Sequence, residues 1–260
     1  MKSAILDINE QTTKPTRTCP YSTLLALTKT VATNMKTRIL TIMISFISFC
    51  GFSQSDGNQY PNFIGQDLTT IMNSEKWEIL DNATGDLNND GISDSTLILQ
   101  SKDSIVEKRC ESCYRLKAKP RIIIVLLNEH NKSKVITQNN TFIARGDEGG
   151  MLPYLEPELS IKDGQLTIFY QYTRSNQSYT FELKGNEMVI SSAESNGVHS
   201  ASGNFENDKF YFSTQEILST TGNISDDNNN TIIIRFNIKP KSLSEFNEMY
   251  DWEIAENKYL

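Results

Sequence analysis

Glu158 to Ser192 reads ELSIKDGQLTIFYQYTRSNQSYTFELKGNEMVISS, and its period decides the fold. Leu166, Ile168, Tyr170 and Tyr172 alternate with polar residues; Tyr179, Phe181 and Leu183 do the same, and Met188 and Ile190 continue the pattern. A period of two belongs to strands that turn one face to a core. Asp163-Gly164, Ser175-Asn176 and Gly185-Asn186 separate the runs as turns, which makes an antiparallel meander. The aromatic stripe of Tyr170, Tyr172, Tyr179 and Phe181 could offer a stacking platform for a sugar. In alternating strands such residues more often fill the core or pair across strands.

Outward from the meander, Arg121 to Leu127 (RIIIVLL) is a continuous apolar run, as in a strand buried on both faces. Trp77 to Leu80 and Ser95 to Gln100 read as strands flanking an acidic loop. Phe210 to Phe212 and Thr231 to Ile238 read as a further pair, the second preceded by an Asn/Asp-rich loop, Asp226 to Asn230. Leu68, Ile71 and Met72 have the spacing of a short helix over Gln66 to Asn73, and Ser244 to Tyr250 suggests another. The expected fold class is mostly β: antiparallel meander sheets, blade-like or sandwiched, with one or two short helices.

Upstream, Met35 opens a tripartite export pattern. Lys36 and Arg38 are its basic part, Ile39 to Phe49 (ILTIMISFISF) its apolar part, and Gly51 and Ser53 the small residues before a cleavage point at Gln54. The apolar run is shorter than the about 20 residues a membrane-spanning helix needs, so an anchor through residues 36–53 is the second reading. Phe49 before Cys50 is too bulky for a lipoprotein signal. A signal belongs at a chain start, so residues 1–34 read as a start assigned too far upstream, or else as a leader. The expected product is one β-rich exported domain, residues 54–260, periplasmic or extracellular. From Gln54 onward 30 acidic side chains stand against 19 basic ones, a difference of −11. So acidic a surface repels phosphate backbones and excludes nucleic acid as a partner.

The informative motif is Asp86-Leu-Asn88-Asn-Asp90-Gly91-Ile92-Ser-Asp94. Side-chain oxygens at positions one, three, five and nine, with a backbone carbonyl at seven, suit a hard cation, and Gly91 stands where the chain must turn sharply. Ile92 is expected to give its carbonyl to the ion and its side chain to the core. Position twelve is Leu97, not Glu, and the flanks read as strands, so the loop is not an EF-hand. A plain Asn/Asp/Gly turn is the competing reading.

The run Gly85 to Leu99 (GDLNNDGISDSTLIL) resembles the calcium loop of integrin-type FG-GAP and VCBS-like repeats. More narrowly, it is similar to exported bacterial proteins in which one such loop precedes an apolar strand, an Asp-Glu-Gly-Gly-Met segment (here Asp147 to Met151) and an aromatic meander. The resemblance implies Ca²⁺ ligation by Asp86, Asn88, Asp90, the Ile92 carbonyl and Asp94; it brings no activity with it. Asp226, Asn228 and Asn230 share the spacing, but no glycine follows them and the flanks that name the FG-GAP repeat are absent. A propeller of stacked repeats is therefore not expected.

Cys110 and Cys113 form a C-x-x-C pair with no second pair for zinc, and a local disulfide fits an oxidising compartment. Lys108, Arg109, Arg115, Lys117, Lys119 and Arg121 make a basic run, which reads as a solvated loop face. His130 and His199 are the only histidines, and no nucleophile motif accompanies them. Glu156/Glu158 and Asp147/Glu148 are candidate acid pairs for glycoside cleavage only if the fold sets them about 5 to 9.5 Å apart. Taken together, the residues point to an exported, calcium-stabilised β-domain that serves as a binding or structural module for a protein or glycan partner. A secreted hydrolase acting on cell-wall or glycan material is the alternative.

Overall fold

In a computed structural model the described residues are 60–108, 114–129, 132–148 and 155–260. The export pattern, the leader, Cys110, Cys113, His130 and the Gly149–Met151 segment lie outside them, as does the side chain of Asp147. Of the described residues 55% are strand and 5% helical, in antiparallel sheets with no closed barrel among them, which is the expected mostly-β class. Among the described residues no helix is long and apolar enough to cross a membrane.

Alternation builds the larger sheet. Seven strands follow one another in chain order: β7 (Pro157–Lys162), β8 (Gln165–Gln171), β9 (Ser175–Lys184), β10 (Glu187–Val198), β11 (Asn204–Tyr211), β12 (Glu216–Asn223) and β13 (Asn230–Arg235). Tyr170, Tyr179 and Phe181 are fully buried, so the aromatic stripe is core and offers no stacking platform. Phe142 and Phe246 close over them at ring distances of 4.9 and 6.1 Å from Tyr179, both edge to face.

The smaller sheet has the order β1-β2-β5-β6, from β1 (Trp77–Gly85), β2 (Asp94–Ser101), β5 (Arg121–Glu129) and β6 (Lys132–Asn139). β3 (Ile105–Glu107) and β4 (Leu116–Ala118) pair as a separate hairpin. The apolar run in β5 is buried on both faces, as its composition implied. Ile123, Val125 and Leu127 join the core under the large sheet, while Ile122, Ile124 and Leu126 pack with Phe63, Ile71 and Trp77 on the other side. Each fully buried Ile or Leu contributes roughly 1.5–3 kcal/mol. The expected helix is there as one short turn, α1 (Leu68–Met72), capped by Asp67, whose carboxylate accepts the Thr70 N–H.

The second expected helix, Ser244 to Tyr250, does not form. Leu243–Glu245 is a single 3-10 turn, and Tyr250 has φ 67°. Asn139 Nδ2 donates to the Leu243 and Phe246 carbonyls at 2.7 Å each, and Phe246 is drawn into the aromatic core, so the segment's bonds and apolar face are satisfied without a helix. The chain closes with the hairpin β14 (Glu253–Ala255) and β15 (Lys258–Tyr259).

Arg121 leaves the basic run that its sequence neighbours suggested. It is 2% exposed and donates to the carbonyls of Ala144 (3.0 Å) and Leu155 (2.6 Å) and to Gln100. Beside it the buried Arg145 pairs with the buried Glu107 at 2.6 and 3.0 Å. Burial works against the Arg145 charge, but the bonds to Glu107 outweigh it and hold its pKa above the ordinary value. Replacing one buried partner of such a pair strands the other charge.

Candidate functional site

The acidic loop sits where the two sheets meet. Asp81 on β1 accepts the Leu159 N–H of β7 at 2.7 Å. At Gly85 a Cβ would stand 2.5 Å from Ile161 Cγ2, so only glycine lets the end of β1 come this close to β7. Asn89, at the loop's tip, packs beside Gly164 in the β7–β8 turn.

Within the loop, Asn89 (φ 60°) and Gly91 (φ +83°) both take the left-handed conformation, and between them bring successive N–H groups round to the side chains. Asp86 accepts from Asp90 N (3.2 Å) and Gly91 N (2.8 Å). Asn88 Oδ1 accepts from the same Asp90 N at 3.1 Å, and its Nδ2 donates to Asp90 Oδ2 at 2.9 Å. Asp90 Oδ1 accepts from Ile92 N at 2.7 Å. Positions one, three and five therefore converge on one short arc of backbone.

Asp94 does different work. It is fully buried, and its two oxygens accept from Leu87 N and Asn128 N, each at 2.9 Å; Asn128 Nδ2 also donates to the Ser93 carbonyl. It ties both ends of the loop to β5. Ile92 corrects the sequence expectation, because its side chain is 45% exposed and the core residue is Leu87, 2% exposed. With Asp94 anchored and the chain reversed at Gly91, position two lies under the loop and position seven on its outer rim.

Like charges repel, and the three carboxylates are held by separate sets of N–H donors. Among the described residues no three His, Cys, Asp or Glu side chains stand as a ready-made metal cluster. The donor types nonetheless suit a hard divalent cation: each carboxylate oxygen that accepts one N–H keeps capacity for another bond.

The other candidate acids are dispersed. Glu156 lies 3.4 Å from Arg121, Glu158 stands exposed on β7, and Glu148 accepts the Arg145 N–H at 2.7 Å. His199 bonds Ser202 at the surface, 2.9 Å away.

A second site escaped the sequence reading. On the inner face of the large sheet, Tyr179, Ala193, Phe210 and Ile217 form a row across β9 to β12. The next row along is Gln177, Ser195, Asp208 and Ser219, and the one beyond it Ser175, Gly197, Glu206 and Thr221. Where the core face turns polar, a groove of about 980 Å³ opens, floored by Ser195 and Asp208 and by the row of Ser175, Gly197, Glu206 and Thr221, and rimmed by Arg174, His199, Asn204 and Asn228. Lys258 reaches in from β15 to Glu206 (2.5 Å), Asp208 (2.7 Å) and Ser219 (3.3 Å). Burial alone would lower the Lys258 pKa, but the bonds to Asp208 and Glu206 raise it above the usual lysine value. That contribution is complete below the ordinary lysine pKa and is lost only as pH rises through the raised one. Asp208 Oδ1 and Gln177 Oε1, both buried, have no hydrogen-bond partner among the described residues. Such atoms are costly unless a donor from outside meets them.

Set against known proteins, no family model, curated protein or solved structure matches the chain.

Proposed function

We propose that this chain is an exported β-domain, stabilised by Ca²⁺ at its acidic loop, that acts as a binding module through the polar groove of its large sheet. The observation that carries the binding role is the pair of polar rows on a face that is otherwise core, with the buried Asp208 Oδ1 lacking a donor among the described residues. Neutral amides and hydroxyls, few net charges and the Phe205 ring beside them suit a polyhydroxylated ligand such as a glycan. Lys258 holds Glu206 and Asp208 as an ion-paired set, a positioning arrangement rather than a free acid and base.

Calcium would be held by Asp86, Asn88, Asp90, the Ile92 carbonyl and Asp94. Its contribution would be charge neutralisation among three carboxylates, which stiffens the junction between β1, β5 and β7. The resemblance to FG-GAP and VCBS-like loops and the Met35–Ser53 export pattern support this reading.

Two measurements test it. In thermal melts, millimolar CaCl₂ raises the melting temperature of the wild type over EDTA while magnesium does not, and Asp90→Ala abolishes that rise. An equal response in both proteins sinks the calcium site. In titration calorimetry against soluble oligosaccharides, Ser195→Leu extends the apolar floor into the groove and removes binding while the melting temperature holds. Undiminished binding by that variant, with the fold intact, sinks the groove.

A further inference from the structure

The hydrogen bonds inside the groove leave a charge unanswered. A lysine ammonium has three N–H donors and no acceptor. Lys258 Nζ uses all three, on Glu206 Oε1, Asp208 Oδ2 and Ser219 Oγ. Two carboxylates thus share one cation whose donors are exhausted, and the set keeps an excess of negative charge.

The oxygens left over lie together. Asp208 is 6% exposed and lines the groove, yet its Oδ1 meets no donor among the described residues. Glu206, also in the groove wall, has a side chain more than half exposed, and Lys258 engages only its Oε1. The two carboxylates stand two residues apart on β11 and so share a face.

The other charges of the groove do not cancel them. Arg174, the remaining lysine or arginine in its wall, precedes Ser175 of β9, two strands from β11, and among the described residues pairs with neither carboxylate. On the opposite side, in the loop between β12 and β13, Asp226 adds a further carboxylate. A ligand carboxylate or phosphate would be repelled here, and a neutral hydroxyl would bond the oxygens but leave their charge. An ammonium does both, and its charge-assisted bonds are about twice as strong as neutral ones.

We propose that the ligand of this groove carries a protonated primary amine seated against Glu206 and Asp208, which among glycans means an amino sugar whose nitrogen is not acetylated. The proposal rests on the groove being the binding site and adds what it selects. Ser175, Ser195 and Thr221 lie alongside for the hydroxyls of the same sugar. Acetylation would remove both the charge and two of the three donors that the open oxygens call for.

Titration calorimetry on the purified protein, at a pH below the pKa of the amine, compares glucosamine oligosaccharides with N-acetylglucosamine and glucose oligosaccharides of the same length. The free-amine oligomer binds about tenfold tighter than the other two, the order of one charged hydrogen bond in place of a neutral one. Glu206→Gln brings the three dissociation constants together. The chain is acidic overall, so Glu194→Gln serves as the control: it removes the same charge from the other face of β10, where Glu194 pairs with Lys209, and leaves the preference intact. Equal binding of all three oligomers, abolished by Ser195→Leu, overturns the amine and keeps the groove. No binding of any oligomer overturns both. A preference that Glu194→Gln lowers as much as Glu206→Gln does belongs to the charge of the whole protein and also overturns the proposal.

Discussion

Two loops of this chain carry side-chain oxygens at the same spacing and come to different ends. Asp86, Asn88 and Asp90 are followed at position six by Gly91 and at position nine by Asp94. Asp226, Asn228 and Asn230 are followed at those positions by Thr231 and Ile234. In the first loop the positive φ angles of Asn89 and Gly91 fold the chain back, so that the N–H groups of residues 90, 91 and 92 all meet Asp86, Asn88 or Asp90. In the second, Asp226 Oδ1 accepts only from the backbone and side-chain amides of Asn228, and the chain runs straight on into β13. The far ends differ as much. Asp94 is buried and bonded to two backbone N–H groups, one of them 34 residues away on β5. Ile234 merely packs against the core. Three oxygens at alternate positions do not by themselves make a closed loop; a residue that can reverse the chain and an anchor at the far end do.

The sharpest way to break this contrast is Asp94→Ala. The buried Leu87 N–H and the half-buried Asn128 N–H lose their acceptor, and unfolding in urea should show a loss of about 3 kcal/mol. A loss under about 1 kcal/mol would remove position nine from the explanation. Gly91→Ala comes next. Open space surrounds the position, so a Cβ meets no clash and only the backbone angle is strained. About 1 to 2 kcal/mol is expected from the same measurement, and a neutral effect would mean the turn tolerates a side chain. Asp226→Ala should change stability least, within about 0.5 kcal/mol, because its bonds are local and exposed. A larger loss there would bring the two loops together again.

The contrast also shows how far the sequence could be read. The Gly91 turn and the run of Arg121 to Leu127 were legible, because each is a local pattern with one physical meaning. Ile92 was misread since its direction depends on where Asp94 is held, and the Asn128 partner lies on another strand. Arg121 looked like part of a surface charge run because the carbonyls that receive it belong to Ala144 and Leu155, distant in sequence. The groove was hidden for a subtler reason. β10 carries a bulge between Ile190 and Ser192, so Ile190 and Ala193 both face inward although their spacing is odd. After such a slip the parity of Ser195 and Gly197 cannot be taken from the residues before them.

What the sequence alone determined is local. Alternation set the strands of the large sheet, glycine and asparagine set its turns, and a two-faced apolar run placed β5 inside, because side-chain period and backbone freedom act over a few residues. What only the tertiary structure decided is which strands lie side by side. That choice buried Arg121 and Arg145, set the acidic loop at the meeting of two sheets and brought Ser195, Gly197, Glu206 and Asp208 together in the floor of a groove. These outcomes depend on contacts between residues far apart in the chain, and no window of sequence contains both partners.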